Sequence, residues 1–228
     1  MTRLMFALDF PEGETALEFV KLLNGIVDGF KVGSELFAAC GSEIVRKIKE
    51  KVKESEVLLD LKLHDIPATV ERTLKVLKSS GADFVTLHVE PNYDFESKIK
   101  LVGVTVLTSL GDEDLKAVGY GSSREDLVKR KAVTAKNLGF SRIVCSGFEA
   151  KEIKRIVGKD MLVFVPAVRP SWWSRKDDQK AVVTPKEAAE NGADYVIVGR
   201  PVRDADDPAK AAKFVKEELQ QAFYGGAK

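Results

Sequence analysis

Val57-Leu58-Leu59-Asp60-Leu61-Lys62-Leu63-His64-Asp65-Ile66-Pro67 is an apolar run of strand length with two opposite charges set into it. Alternation along a strand puts Asp60 and Lys62 on one face and Leu59, Leu61 and Leu63 on the other. If helices cover the leucine face, the charged face points where an ordinary core has Val or Ile, and a charge is costly there unless it is paired. That predicts a catalytic strand. An antiparallel strand with a solvated Asp/Lys face satisfies the same residues, so the decision falls to the rest of the chain.

Outward from this stretch, strand-like runs alternate with helix-period ones in both directions. Pro67 opens the next helix, where its missing N–H costs least; Val70, Leu74 and Leu77 form its apolar stripe and Gly81 ends it. Upstream, residues 4–8 read as a strand, 14–23 as a helix with Leu17, Val20 and Leu23 on one side, 30–32 as a second strand and 42–52 as a helix. Downstream, strands are expected at 84–88, 101–107, 143–145, 161–165 and 195–198, with helices at 127–138, 149–157 and 208–223. A connection through residues 93–99, an excursion over 111–123 and a polar loop over 166–183 separate them, and residues 225–228 read as a tail. Eight uninterrupted β/α repeats predict an α/β fold of the (β/α)8 TIM-barrel type, with residues 1–228 forming a single domain. An open doubly wound sheet is the structural alternative.

Composition narrows the partners. Lys and Arg number 36 against 35 Asp and Glu, so no nucleic-acid surface is expected and any anion site must be local. That favours a small ligand. Cys40 and Cys145 lie in apolar contexts without metal-ligand spacing, which fits reduced core thiols and a cytoplasmic protein. The N-terminus shows no apolar leader, and no stretch reaches transmembrane length, so no membrane partner is expected. Charged residues make up 31% of the chain while Cys and Met are scarce, a bias shared with heat-adapted proteins.

Functional residues of such barrels sit at the carboxyl ends of the strands. Those ends read Asp9, Lys31, Asp60 with Lys62, His88, Ser109, Pro166 and Gly199-Arg200. Singly, each has a bland explanation: Asp9 capping a turn before Pro11, Lys31 snorkelling, His88 satisfied in the core, Ser109 in a loop. Their recurrence is harder to assign to packing. Phosphate is often held by the loops after strands seven and eight; here Gly199 permits close approach and Arg200 offers a fork that matches two phosphate oxygens. Asp178 and Gln179, on the long loop, could close over the same group, and a surface Arg starting a loop is the alternative for Arg200.

These residues carry a resemblance. The stretch Asp60-Leu61-Lys62-Leu63-His64-Asp65-Ile66-Pro67-Ala68-Thr69 resembles the signature of the orotidine 5′-phosphate decarboxylase family, Asp-x-Lys-x-x-Asp followed by Ile-Pro and a nearby Thr. The likeness runs along the chain: Leu8-Asp9-Phe10 at the first strand end, Phe30-Lys31-Val32-Gly33 at the second, Leu107-Thr108-Ser109 at the fifth, Arg169-Pro170 with Asp178-Gln179-Lys180 on the loop, and Val198-Gly199-Arg200 at the eighth. Departures fall in loops: Ala68 replaces a common Asn, Ala167-Val168 a common Gly-Ile, and Val89-Glu90-Pro91-Asn92 a small glycine-bearing turn.

The resemblance implies loss of carbon dioxide from C6 of orotidine 5′-phosphate to give uridine 5′-phosphate, in pyrimidine biosynthesis, with no cofactor and no metal. Lys62 would donate the proton that replaces the carboxylate, aimed by Asp60 and Asp65, with Lys31 binding Asp60 and a ribose hydroxyl. Asp9 would hold ribose, Ser109 the pyrimidine, and Gln179, Gly199 and Arg200 the phosphate, with Pro166 also binding substrate. It also implies a homodimer in which Asp65, Ile66 and Thr69 reach into the partner's pocket. Two rivals remain. Magnesium-using sugar-phosphate decarboxylases and hexulose-phosphate synthases share the signature but carry an acid where this chain has Lys31. A noncatalytic nucleotide sensor would need the phosphate residues without the full charged row.

Overall fold

What fills the barrel is set by the inward residue of each strand, taken at every second position. In the computed structural model, which describes residues 1–93, 96–174 and 182–224, eight parallel strands close in chain order. They are β1 (Arg3–Ala7), β2 (Gly29–Gly33), β3 (Glu56–Leu63), β4 (Phe84–His88), β5 (Lys100–Val104), β6 (Arg142–Val144), β7 (Leu162–Val165) and β8 (Tyr195–Val198). The open-sheet alternative is excluded, because β8 pairs with β1 in register from Arg3 opposite Tyr195 to Phe6 opposite Val198.

Two hydrophobic cores follow from the two faces. Inside the barrel, Met5, Ala7, Leu58, Phe84, Val102, Phe164, Tyr195 and Ile197 form one cluster. Phe164 stacks on Tyr195 at 4.1 Å between centroids, and Phe84 meets both rings edge-on at 5.5 and 5.8 Å. These rings plug the barrel on the side where the strands begin. Outside it, Leu59, Val57, Phe30 and Val85 face the helices in a second, larger cluster.

The helices are α1 (Gly13–Leu23), α2 (Ser34–Cys40), α3 (Glu43–Lys51), α4 (Pro67–Leu77), α5 (Asp112–Ala117), α6 (Arg124–Asn137), α7 (Ala150–Val157), α8 (Pro185–Glu190), α9 (Arg200–Arg203) and α10 (Pro208–Tyr224). The predicted stripe of α4 is buried as expected, with Val70, Leu74 and Leu77 on the barrel side. On α3, Ile44, Val45 and Ile48 are buried, and truncating Ile48 to Ala would cost ~2–5 kcal/mol.

Sequence periodicity missed α2, α5, α8 and α9, all short. The α8 start was legible: Thr184 accepts from the Glu187 N–H while the Glu187 carboxylate accepts from Thr184, with Pro185 at the first turn. The predicted fifth strand over 101–107 is shorter, ending at Val104. Beyond it, the Thr105 hydroxyl donates to the Val144 carbonyl at 3.0 Å, and the chain turns away through Leu107 and Ser109. The excursion over 111–123 is built on α5, whose Asp114 carboxylate accepts the Gly111 N–H at 2.8 Å. The expected tail over 225–228 lies outside the described residues.

Candidate active site

The site is assembled where the inward face changes from apolar to charged. Moving up the strands, Met5 and Ala7 give way to Asp9, Leu58 to Asp60 and Lys62, Phe84 to Thr86, and Tyr195 and Ile197 to Gly199. A cavity of about 590 Å³ opens above the aromatic plug. Of the predicted residues, it is walled by Asp9, Lys31, Asp60, Lys62, Ser109, Pro166, Gly199 and Arg200.

A row of alternating charges crosses its floor. Lys31 Nζ lies 2.8 Å from Asp9 Oδ1 and 3.7 Å from Asp60 Oδ2; Lys62 Nζ lies 2.8 Å from the same Asp60 oxygen. Burial works to raise the Asp60 carboxyl, but the ammonium groups of Lys31 and Lys62 outweigh it and hold the carboxyl below its ordinary range. Gly33 makes room for the row: a Cβ there would come within 2.9 Å of Lys31 Nζ and 3.0 Å of Asp9 Oδ1.

Lys62 does not sit on a regular strand. Its φ is 49°, a left-handed conformation that costs a non-glycine residue about 1–2 kcal/mol. Leu59 pairs with Val85 and Leu63 with Leu87, so three β3 residues, Asp60 to Lys62, face the single β4 residue Thr86. Asp60 and Lys62 still converge, as alternation predicts, but across a bulge. Thr86 is 1% exposed; its hydroxyl donates to Asp60 Oδ1 at 3.0 Å and accepts the Lys62 N–H at 2.9 Å. In the sequence the one signal for Thr86 is the two-residue period from Phe84, which places it inward.

The opposite wall is basic. Gly199 precedes α9, where an added Cβ would stand 3.4 Å from Ala7 Cβ and 3.6 Å from Asp9 Oδ2. Arg200 and Arg203, one turn apart, both line the cavity, and Arg203 Nη1 donates to the Asp9 carbonyl at 3.2 Å. Arg203 and Glu35 were not foreseen. Arg169 lines the same wall, with its N–H donating to the Val183 carbonyl at 2.9 Å; Val168 and Val183 form a parallel bridge, so the ends of the 166–183 loop are tied together. Asp178, Gln179 and Lys180 lie outside the described residues.

Three predicted residues stand away from the cavity of their own chain. Asp65 is exposed, its carboxylate accepting the Ile66 N–H at 2.7 Å while Tyr93 Oη donates to its carbonyl at 2.7 Å. Ile66 is 64% exposed and Thr69 partly buried on the first turn of α4. His88 also misses the cavity wall and packs on His64, centroids 4.9 Å apart. His64 Nε2 lies 3.3 Å from Glu90 Oε1.

Comparison with known proteins gives concordant matches. Residues 2–215 match the model of the orotidine 5′-phosphate decarboxylase / HUMPS family. An orotidine 5′-phosphate decarboxylase of Desulfosudis oleivorans is 39% identical, the alignment covering 96% of this chain and 94% of the relative. One from a Caulobacter species is 41% identical, with 95% and 96% covered. The crystal structure of the Lactobacillus acidophilus orotidine 5′-phosphate decarboxylase superposes with a TM-score of 0.81 at 30% identity, covering 96% of this chain and 99% of that one.

Proposed function

The chain belongs to the orotidine 5′-phosphate decarboxylase / HUMPS family, and we propose that its cavity converts orotidine 5′-phosphate to uridine 5′-phosphate in pyrimidine biosynthesis. The observation that carries this is the row Asp9, Lys31, Asp60, Lys62, in which two ammonium groups flank one partly buried carboxylate. Decarboxylation at C6 leaves a carbanion with no adjacent electron sink, so localised negative charge must be met by a fixed positive group. The Lys62 ammonium meets it and donates the proton to C6 as carbon dioxide leaves. Asp60 holds that ammonium in place, and Lys31 in turn binds Asp60. Lys31 supplies a cation at the position where the magnesium-using relatives supply an acid, which favours the decarboxylase arm of the family.

Substrate binding divides along the cavity. Asp9 and Lys31 take the ribose hydroxyls, Ser109 the pyrimidine, and Gly199, Arg200 and Gln179 the phosphate, with Pro166 beside them. The short helix α9 starts at the phosphate end, in keeping with barrel phosphate sites. Phosphate binding far from C6 supplies energy that can be realised in the transition state, so it contributes to turnover as well as affinity.

The second subunit completes the site. Asp65, Ile66 and Thr69 extend into the partner's cavity, with Asp65 placed against the partner's Lys62. Exposed Ile66 and Val76, 64% and 68% accessible, on or beside α4 support a covered face there. The working location is the cytoplasm; among the described residues no helix is long and apolar enough to cross a membrane. The test is loss of the orotidine 5′-phosphate absorbance on adding purified protein, with uridine 5′-phosphate as product. Unchanged absorbance with demonstrable nucleotide binding would identify a sensor, and activity abolished by EDTA and restored by magnesium would favour the metal-using relatives.

A further inference from the structure

We propose that Thr86 is the positioning residue that holds Lys62 in its reactive conformation; this rests on the proposed role of Lys62 as proton donor. The β3–β4 ladder slips between Leu59 and Leu63, leaving Thr86 as the one β4 residue opposite Asp60, Leu61 and Lys62. Lys62 takes a left-handed backbone in that gap, one of two non-glycine residues with positive φ among those described. Its N–H goes to Thr86 Oγ1 at 2.9 Å. The only proton of that hydroxyl goes to Asp60 Oδ1 at 3.0 Å. Asp60 is thereby oriented with Oδ2 toward both lysines, 2.8 Å from Lys62 and 3.7 Å from Lys31.

One hydroxyl therefore fixes both ends of the Lys62 side chain: the backbone from which it starts and the carboxylate against which its ammonium rests. No other hydroxyl can do this from β4, since the next inward position toward the plug is Phe84. At a centre that must meet localised charge, a displacement of about 1 Å costs on the order of 10²-fold in rate. Thr86 acts through Lys62 and Asp60, not on the substrate.

Thr86→Val keeps the shape and removes both hydrogen bonds; Thr86→Ser keeps both. The expected result is a kcat about 10²-fold lower for Thr86→Val, with affinity for uridine 5′-phosphate changed by less than about 3-fold and near-normal kcat for Thr86→Ser. The acid limb of the kcat–pH profile should move to higher pH in Thr86→Val, because Asp60 loses a bond that favours its charged form. A kcat for Thr86→Val within about 3-fold of the native value, or a loss of nucleotide affinity as large as the loss in kcat, overturns the proposal.

Amide hydrogen exchange separates this proposal from the assignment of the reaction. The Lys62 N–H should exchange faster in Thr86→Val than in the native protein, whether or not either decarboxylates; unchanged exchange overturns the positioning role. If Thr86→Val does not fold, Thr86→Ala gives the same comparison: faster exchange of the Lys62 N–H than in the native protein and in Thr86→Ser supports the positioning role, and unchanged exchange overturns it.

Discussion

Lys62 reaches Asp60 from a left-handed backbone: its Nζ sits 2.8 Å from Asp60 Oδ2 while its φ is 49°. A strained residue persists only where its surroundings over-determine it, and here an ion pair, a hydroxyl and a bulge do so. The strain is located at the group assigned the proton transfer.

Lys62→Ala should fold and still bind uridine 5′-phosphate, yet lose at least about 10³-fold in decarboxylation, since both the proton donor and the charge facing C6 are removed. Calorimetry and the absorbance assay check the two halves separately. Near-native turnover would sink the role of Lys62.

Arg200→Ala should raise KM for orotidine 5′-phosphate by roughly 10–100-fold, the size of a charge-assisted hydrogen bond. Activity on the phosphate-free nucleoside should not change. Equal losses on both substrates would count against a phosphate clamp.

Mixing two inactive variants tests the shared site. Lys62→Ala and Asp65→Ala, each inert alone, should regain about a quarter of native activity after subunit exchange, because half of the randomly formed dimers carry one intact site. No recovery, with exchange confirmed by mass spectrometry, would place Asp65 at its own chain's site or at none.

His88 gives a pH signature. Burial first, then the neighbouring His64 and Lys131, lower its pKa to about 4, with Glu90 opposing and Lys62 adding to the shift. The folded-state value lies below the unfolded one of 6.5, so between pH 6.5 and about 4 the unfolded chain binds the proton first. Stability should fall as pH drops through that window. His88→Gln should flatten this part of the melting-temperature profile; an unaltered slope would remove His88 as its source.

Ala167 has φ 58°, in the left-handed region that favours glycine. Ala167→Gly should leave stability unchanged or raise it by up to about 1 kcal/mol, relief of left-handed strain being partly offset by unfolded-chain entropy. Thermal melts check this, and a clear loss of stability would show that the methyl, 8% exposed with its residue, is needed for packing.

The strands were legible because barrel strands bury one face under helices and the other in the barrel, leaving apolar runs bounded by turns; β4 and β8 match their expected limits at Phe84–His88 and Tyr195–Val198. The short helices were not, since four to seven residues give two turns of period at most. Asp9, Lys31, Asp60, Lys62, Ser109, Pro166, Gly199 and Arg200 were found on the cavity wall because strand ends converge in a closed parallel barrel. Thr86, Arg203 and Glu35 were missed because a threonine, an arginine and a glutamate in those contexts have ordinary explanations until their neighbours are known.

Sequence alone determined the repeat, the charged strand and the signature Asp60-x-Lys62-x-x-Asp65, since these depend on residue type and spacing. Only the tertiary structure decided how Lys62 meets Asp60, where Lys31 joins them, and that Asp65 turns away from its own cavity. The reason is physical: alternation specifies a face, but a slipped ladder and a left-handed residue are set by what the neighbouring strand offers, and here that is one buried hydroxyl on β4.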